Sequence, residues 1–426
     1  MRIVVYCCIL FLTGSCSPGR YLTREVVRLE EELKEHTGFL LYDPITKKKL
    51  VEYHSNRYFT PASNTKIFTF YTSLKLLGDS VVSVKYIQRG DSLIFWGAGD
   101  ASFLYANVYD SRRLFDFLSA SSQKLFFSSS NFQTETMGPG WAWDDYPFYY
   151  SAERSPFPVY GNLVNVKKDS NRFFFNPTYF QLHFTSASVP RGDKTILRDI
   201  DSNHLTYYPG NGKRTSWAIP FRYSDDLVAE LLSDTLKRKV ELTDMPLPAE
   251  AKILRSVPID SLLRVMMQDS DNFVAEQLLL QCAAVVSDTL KPEIAISYAK
   301  ENFLSDLPDE PQWVDGSGLS RYNLFTPRTI VALWEKIYHE VPQQRLFPLL
   351  ATGGKSGTIK NFYKAREPYV YGKTGTLSNN HSLSGYLLTR KGKVLIFSMM
   401  NNNYIVPTSE VRGRMEKILS TIHERY

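Results

Sequence analysis

Apolar positions along the chain switch between two periods, and the switch sets the expected architecture. Ile67, Phe70, Leu74 and Leu77 recur at the spacing of one helical face, with Pro61 suited to the first turn and Gly78 as a stop. Val26, Leu29 and Leu33 give the same signal over Glu25 to Glu35. Leu262, Leu263 and Met266 give it over Asp260 to Met267, and Val411, Met415, Ile418, Leu419 and Ile422 give it over the last helix. Phe273 to Ala284 is a further apolar helix, and Pro327 opens another. Strands are expected over Gly38 to Tyr42 and Leu50 to Tyr53, around the turn Asp43-Pro44-Ile45-Thr46. Tyr369 to Gly372 reads as a strand, and Leu383 to Arg390 with Lys393 to Met400 as a hairpin about Lys391-Gly392. From about Val81 to Leu254 the pattern shortens to aromatic-rich strands such as Ser92 to Trp96 and Arg172 to Phe175. Turns at Tyr208-Pro209-Gly210 and a helix over Asp225 to Lys237 interrupt them.

Helices from both ends of the chain packing on one antiparallel sheet predict an α+β domain. Its expected parts are residues 21–82 and 255–426, with a mostly β insertion at 83–254 and a leader and tether at 1–20. No internal repeat or low-complexity tract appears. A chain of 426 residues, 43% of them hydrophobic, is long enough for such a core and for two or three domains.

Charge and cysteine narrow the classes. The net charge of +6 is spread thinly, with Lys47-Lys48-Lys49 the densest patch. A solvated turn accounts for that patch, and no nucleic-acid partner is expected. Arg2, the apolar run Ile3 to Leu12 and Thr13-Gly14-Ser15-Cys16 have the form of an export signal, too short to span a bilayer. Cys16 resembles the lipid-accepting cysteine of bacterial lipoproteins, with an ordinary cleaved signal peptide as the alternative. A membrane is then a partner only through that anchor. Ser17-Pro18-Gly19-Arg20 lacks an acidic cluster, so the expected location is the periplasm. Beyond the leader only Cys282 remains, in an apolar helical run, so no internal disulfide is possible and a core role is expected.

The chemistry is carried by three short stretches. Ser63 and Lys66 are three apart, so one helical face presents a hydroxyl and an amine. A buried lysine is pushed toward its neutral form and can take the serine proton. Ser270 and Asn272 lie in the polar break Gln268 to Asn272 between two apolar helices, which holds them rigidly. Lys373-Thr374-Gly375-Thr376 follows the Tyr369 strand. Other stretches match parts of these patterns, namely Ser121 to Lys124, Ser129-x-Asn131, Lys355-Ser356-Gly357 and Ser378-x-Asn380, but lack the flanking elements. Within the insertion, Trp143, Asp144 and Asp145 in Gly140-Trp141-Ala142-Trp143-Asp144-Asp145 suit a cationic ligand group as well as they suit an aromatic turn. No histidine or cysteine pattern points to a metal, and no cofactor is expected.

Ser63-x-x-Lys66, Ser270-x-Asn272 and Lys373-Thr374-Gly375 occur in the order found in penicillin-binding proteins and serine β-lactamases. The long gap between the first two, the Gly-Trp-x-Trp-Asp-Asp stretch inside it, Asp315-Gly316-Ser317-Gly318-Leu319-Ser320-Arg321 after it and Lys373-Thr374-Gly375-Thr376-Leu377 at the end resemble one family. It is the D-alanyl-D-alanine carboxypeptidase/endopeptidase family, the low-molecular-mass class C penicillin-binding proteins. The resemblance implies a transpeptidase-like fold and cleavage of D-Ala-D-Ala in peptidoglycan stem peptides, with β-lactams as covalent inhibitors. It implies Ser63 as nucleophile, Lys66 as its base, Ser270 as proton relay to the leaving group and Asn272 as donor to the substrate backbone. It further implies Lys373 and Thr374 as carboxylate ligands, with Gly375 in the same motif. The backbone N–H groups of Ser63 and Thr376 would form the oxyanion hole. One of Asp144 and Asp145 would meet the amino end of diaminopimelate. The rival readings are a catalytically silent scaffold of the same fold, which would keep its partners when Ser63 is replaced, and a β-lactamase, for which no deacylating carboxylate is evident.

Overall fold

A computed structural model describes residues 18–108 and 111–426; the export signal and Cys16 lie outside them. The central sheet has six antiparallel strands. β1 (His36–Asp43) and β2 (Lys48–Tyr53) come from the start of the chain, and β3 (Val370–Leu377), β4 (Asn380–Leu388) and β5 (Val394–Asn402) from its end. The order is the two-residue strand Ala351–Thr352, then β3, β4, β5, β1 and β2. β1 therefore seals the sheet against β5, with Leu40 opposite Ser398. Both faces are covered, which explains the near-continuous apolar run of β5. Successive residues of a strand point to opposite faces, so Leu395, Phe397 and Met399 enter one core while Ile396 enters another.

α1 (Pro18–Leu33) and α5 (Thr408–Arg425) fill the first face, meeting it through Leu22, Val26, Leu29, Val411, Met415 and Leu419. α1 starts before the expected Glu25, because Leu22 extends its buried stripe by one turn. α2 (Lys66–Leu76), α3 (Asn272–Ser287) and α4 (Pro327–Glu340) cover the other face. α2 departs from the one-sided stripe read from Ile67, Phe70, Leu74 and Leu77. Every residue from Lys66 to Ser73 is buried, since neighbours surround the helix on all sides.

Between α2 and the helix Ile259–Arg264 the chain builds three more sheets. One has five strands, mixing parallel and antiparallel pairs, and two have three strands each. A separate core, centred on Phe95, Phe127, Phe157 and Trp217, holds them. Two segments of this region return to the main sheet's helices: the stretch 140–150 and the loop at Arg154. Both flank the cleft described next.

Candidate active site

Ser63 sits in a 3-10 turn, Ala62–Thr65, that runs into α2. The turn is bolted to the sheet by Asn64, which is fully buried. Its Nδ2 donates to the Lys373 carbonyl at 3.0 Å and to Ser382 Oγ at 2.9 Å, while its Oδ1 accepts from Ser384 Oγ at 2.5 Å. Ser382 Oγ donates to the Pro61 carbonyl at 2.8 Å. Gly375 is required at this junction: a Cβ there would lie 2.3 Å from the Pro61 oxygen and 2.9 Å from the Ser63 nitrogen. β3 and the serine turn thus touch backbone to backbone.

Lys66 is the first residue of α2 and is wholly buried. Its Nζ donates to Ser63 Oγ at 2.9 Å, to Asn272 Oδ1 at 2.6 Å and to the Ser317 carbonyl at 2.6 Å. Burial pulls its ammonium down to about 8, against the opposing pull of the Asp315, Glu276 and Asp271 carboxylates. A substantial neutral fraction is therefore present at mildly alkaline pH, and Ser63 has a base within hydrogen-bond reach.

The helix Ile259–Arg264 ends in a π turn, Val265–Asp269, and Ser270 then adopts a left-handed conformation, φ 62°. Such turns are frequent at functional sites. Here the turn aims Ser270 at β3, where Lys373 Nζ donates to Ser270 Oγ at 2.7 Å and to the Thr374 carbonyl at 2.7 Å. Burial lowers the Lys373 ammonium well below its usual range, with the nearby Lys66 charge adding to the effect. Asp271 caps α3 by accepting from the Val274 N–H, and it also accepts from Tyr105 OH at 2.5 Å. Asn272 Nδ2 donates to the Tyr150 carbonyl at 2.9 Å.

The loop Asp315–Ser320 forms the wall behind Lys66. Asp315 accepts from the N–H groups of Gly318 and Ser320, from Asn323 Nδ2 and from Trp141 Nε1. Burial, then the Glu276 charge, raises its carboxyl to about 6. Glu276 accepts from the Ser317 N–H at 2.7 Å and forms a buried pair with Arg154 at 2.6 Å. Gly318, at φ +84°, leaves no room for a side chain, since a Cβ would lie 2.0 Å from the Ala62 oxygen.

These elements enclose a cleft of about 770 Å³ that opens over Ser63, Ser270, Asn272, Thr374 and Thr376. Lys66, Lys373 and Gly375 lie beneath its lining. A hollow of similar volume beside Thr178 and Glu230 holds none of the residues above. Asp144 and Asp145 line the cleft. Asp145 accepts from Tyr150 OH at 2.8 Å, whereas Asp144 has no side-chain partner among the described residues. Trp143 is not part of the lining: its side chain is 75% exposed, and Trp141 is the tryptophan that packs inward, against Arg154. The partial matches elsewhere have local duties. Asn131 binds the Gly97 carbonyl, and Lys124 pairs with Asp91.

Several cleft residues had no signal in the sequence. Tyr150, Thr358 and Arg412 come from segments remote in the chain, and Arg154 and Glu276 act from behind the wall. Arg321, which also lines the cleft, closes the stretch Asp315 to Arg321 that the sequence singles out. Among the described residues no group of three or more His, Cys, Asp or Glu side chains is placed to hold a metal ion.

Residues 25–423 match the family described as "D-Ala-D-Ala carboxypeptidase 3 (S13) family". The D-alanyl-D-alanine carboxypeptidase DacB of Haemophilus influenzae is 24% identical over 445 aligned positions, covering 92% of this chain and 91% of that one. The crystal structure of penicillin binding protein 4 (dacB) from the same organism superposes with a TM-score of 0.76. It covers 94% of this chain and 99% of that one at 20% identity. Its complex with a β-lactam superposes at 0.69, with 17% identity and coverage of 94% and 98%.

If Lys66 is the base, its neutral form is the active one, so acylation of Ser63 by benzylpenicillin should accelerate as pH rises through about 8. Stopped-flow or intact-mass rates between pH 6 and 9.5 would read this out. A rate that is flat or falls across that range would remove Lys66 from the role.

Proposed function

The chain belongs to the D-Ala-D-Ala carboxypeptidase 3 (S13) family, and on that premise we propose how its cleft works. The protein is a serine-type D-Ala-D-Ala carboxypeptidase, a hydrolase of the cell envelope acting on peptidoglycan stem peptides. The observation that carries the residue assignment is the pair of amine–hydroxyl contacts, Lys66 to Ser63 at 2.9 Å and Lys373 to Ser270 at 2.7 Å.

Neutral Lys66 takes the hydroxyl proton as Ser63 Oγ attacks the carbonyl carbon of the penultimate D-alanine. The negative charge that develops on the carbonyl oxygen faces the N–H groups of Ser63 and Thr376. When the C–N bond breaks, the proton taken up by Lys66 is relayed through the Ser270 hydroxyl, held in place by Lys373, to the leaving amine, which leaves Lys66 neutral again. Water then cleaves the acyl ester and returns the proton to Ser63 Oγ. Asn272 positions the substrate amide, Thr374 and Thr376 receive the terminal carboxylate, and Gly375 keeps β3 against the serine turn. The same chemistry extends to D-Ala–diaminopimelate crosslinks, since the bond broken is of the same type.

Ser63→Ala should abolish hydrolysis. Intact mass after benzylpenicillin should show one adduct on the wild type and none on the variant. Rapid turnover of the antibiotic without an adduct would indicate a β-lactamase, and neither adduct nor turnover would indicate a scaffold.

For the side-chain amine of diaminopimelate, Asp144 is the better placed carboxylate, because Asp145 is already engaged by Tyr150. Asp144→Asn should raise KM for diaminopimelate-containing peptides by roughly tenfold, the scale of one charge-assisted contact. A wild type that does not discriminate between peptides with and without that amine, or a preference that Asp144→Asn leaves unchanged, would oppose the assignment.

The finer location is the periplasmic face of a membrane, with Cys16 as the lipid-bearing residue, a reading supported by Thr13-Gly14-Ser15-Cys16 after an apolar run. Metabolic labelling with palmitate should mark the full chain and not Cys16→Ala; label on both would exclude the site.

A further inference from the structure

An anionic group that enters this cleft needs a cation, and the basic residues around it are not equally free to serve. Lys373 is buried beneath the lining, and its amine is committed to Ser270 Oγ and the Thr374 carbonyl. Burial, with the nearby Lys66 charge, also disfavours its charged form. His381, which shares a hydrogen bond of 2.8 Å with Thr376 Oγ1, is kept neutral by burial, its pKa pulled down to about 3. Arg321 donates to the Ser378 carbonyl, past the end of β3.

Arg412 differs from all three. It projects from the second turn of α5 into the cleft lining. Its guanidinium rests over the Phe362 ring, 5.8 Å from the centroid, and Nη2 donates to Thr376 Oγ1 at 3.4 Å. It is half-buried, and among the described residues no carboxylate lies within ion-pair distance of it. Thr374 and Thr376 are two apart on β3, so their hydroxyls share the face that Arg412 overhangs. A guanidinium stays charged at every relevant pH and presents several planar donors, which suits a carboxylate better than a buried amine does.

We propose that Arg412 is a specificity-determining residue: with the Thr374 and Thr376 hydroxyls it binds the carboxylate carried by the carbon attached to the scissile nitrogen. The proposal rests on the DD-peptidase reading above. It assigns the charge recognition of the leaving residue to α5 and leaves Lys373 to serve Ser270. One anchor then serves two substrates, because a terminal D-alanine and a crosslinked diaminopimelate both carry a carboxylate at that carbon. A substrate whose terminal carboxylate is amidated would lose the interaction.

The experiment compares two peptides ending in D-Ala-D-Ala, one with a free carboxylate and one with a carboxamide, on the wild type, Arg412→Gln and Arg412→Lys. Arg412→Gln retains a side chain long enough to cover Phe362, and its melting temperature reports whether the fold is intact. The wild type should prefer the carboxylate peptide. Arg412→Gln should lower kcat/KM for it by roughly ten- to a hundredfold, mainly through KM, while the carboxamide peptide changes by less than about twofold. Arg412→Lys should recover part of the preference. Equal losses on both peptides would reveal a structural role, and an unchanged preference would show that the carboxylate is held elsewhere; either result overturns the proposal. A wild type that is acylated by benzylpenicillin but cleaves neither peptide would bring down the carboxypeptidase reading, and this one with it.

Discussion

The site depends on one buried amine. Lys66 reaches three segments at once, the Ser63 turn, the start of α3 at Asn272 and the Ser317 carbonyl of the 315–320 loop. An ammonium taken out of water is costly unless its donors are satisfied. Those three acceptors meet all three protons it can carry. The same geometry limits the alternatives open to the chain. Shifting any of the three segments would leave a buried donor without a partner, so the amine fixes their relative positions as well as serving the hydroxyl.

Around that amine the charges are arranged in layers. Lys66 and Lys373 lie under the cleft floor, and Asp315 and Glu276 stand behind Lys66. Arg154 neutralises Glu276 from the far side, in a pair that is almost fully buried. Without those carboxylates the desolvation of Lys66 would run unopposed and the amine would lose its proton far more readily. With them it stays near the range where it can both accept and return a proton. The carboxylates also hold backbone: Glu276 fixes the Ser317 N–H, and Asp315 fixes the N–H groups of Gly318 and Ser320. Electrostatic tuning and loop geometry are therefore set by the same atoms.

The middle of the chain contributes to the site as well as to its own core. Arg154, Trp141 and Tyr150 reach from it to Glu276, Asp315 and Asn272. Asp144 and Asp145 of the cleft come from there, Asp269 comes from the π turn, and the lining arginines Arg321 and Arg412 come from just after the 315–320 loop and from α5. A ligand bearing both an amine and a carboxylate would meet complementary charge on different segments, each rooted in a different part of the sequence.

The α+β class, the antiparallel sheet built from both ends of the chain and the three stretches that meet at the cleft were legible in the sequence, because each is a local pattern. Helical spacing, a turn residue, or a serine and an amine three positions apart all express themselves over a few residues. α1 begins ahead of Glu25 because Leu22 continues its buried stripe one turn before the spacing of Val26, Leu29 and Leu33 reports it. α2 looked one-sided because its polar residues, Thr69, Thr72 and Ser73, are buried by neighbours that the helix's own period cannot report. Trp143 adjoins the acidic pair in sequence, yet it is exposed at the start of a 3-10 turn, while Trp141, two residues earlier, donates inward to Asp315. The Arg154–Glu276 pair, the Tyr150 clasp on Asn272 and the overhang of Arg412 above Thr376 join residues tens to hundreds of positions apart. Sequence carries the chemistry of a residue and its local period. Which distant partner desolvates or discharges it is decided only when the chain packs, since those effects act through space over a few ångströms and take no account of separation along the backbone.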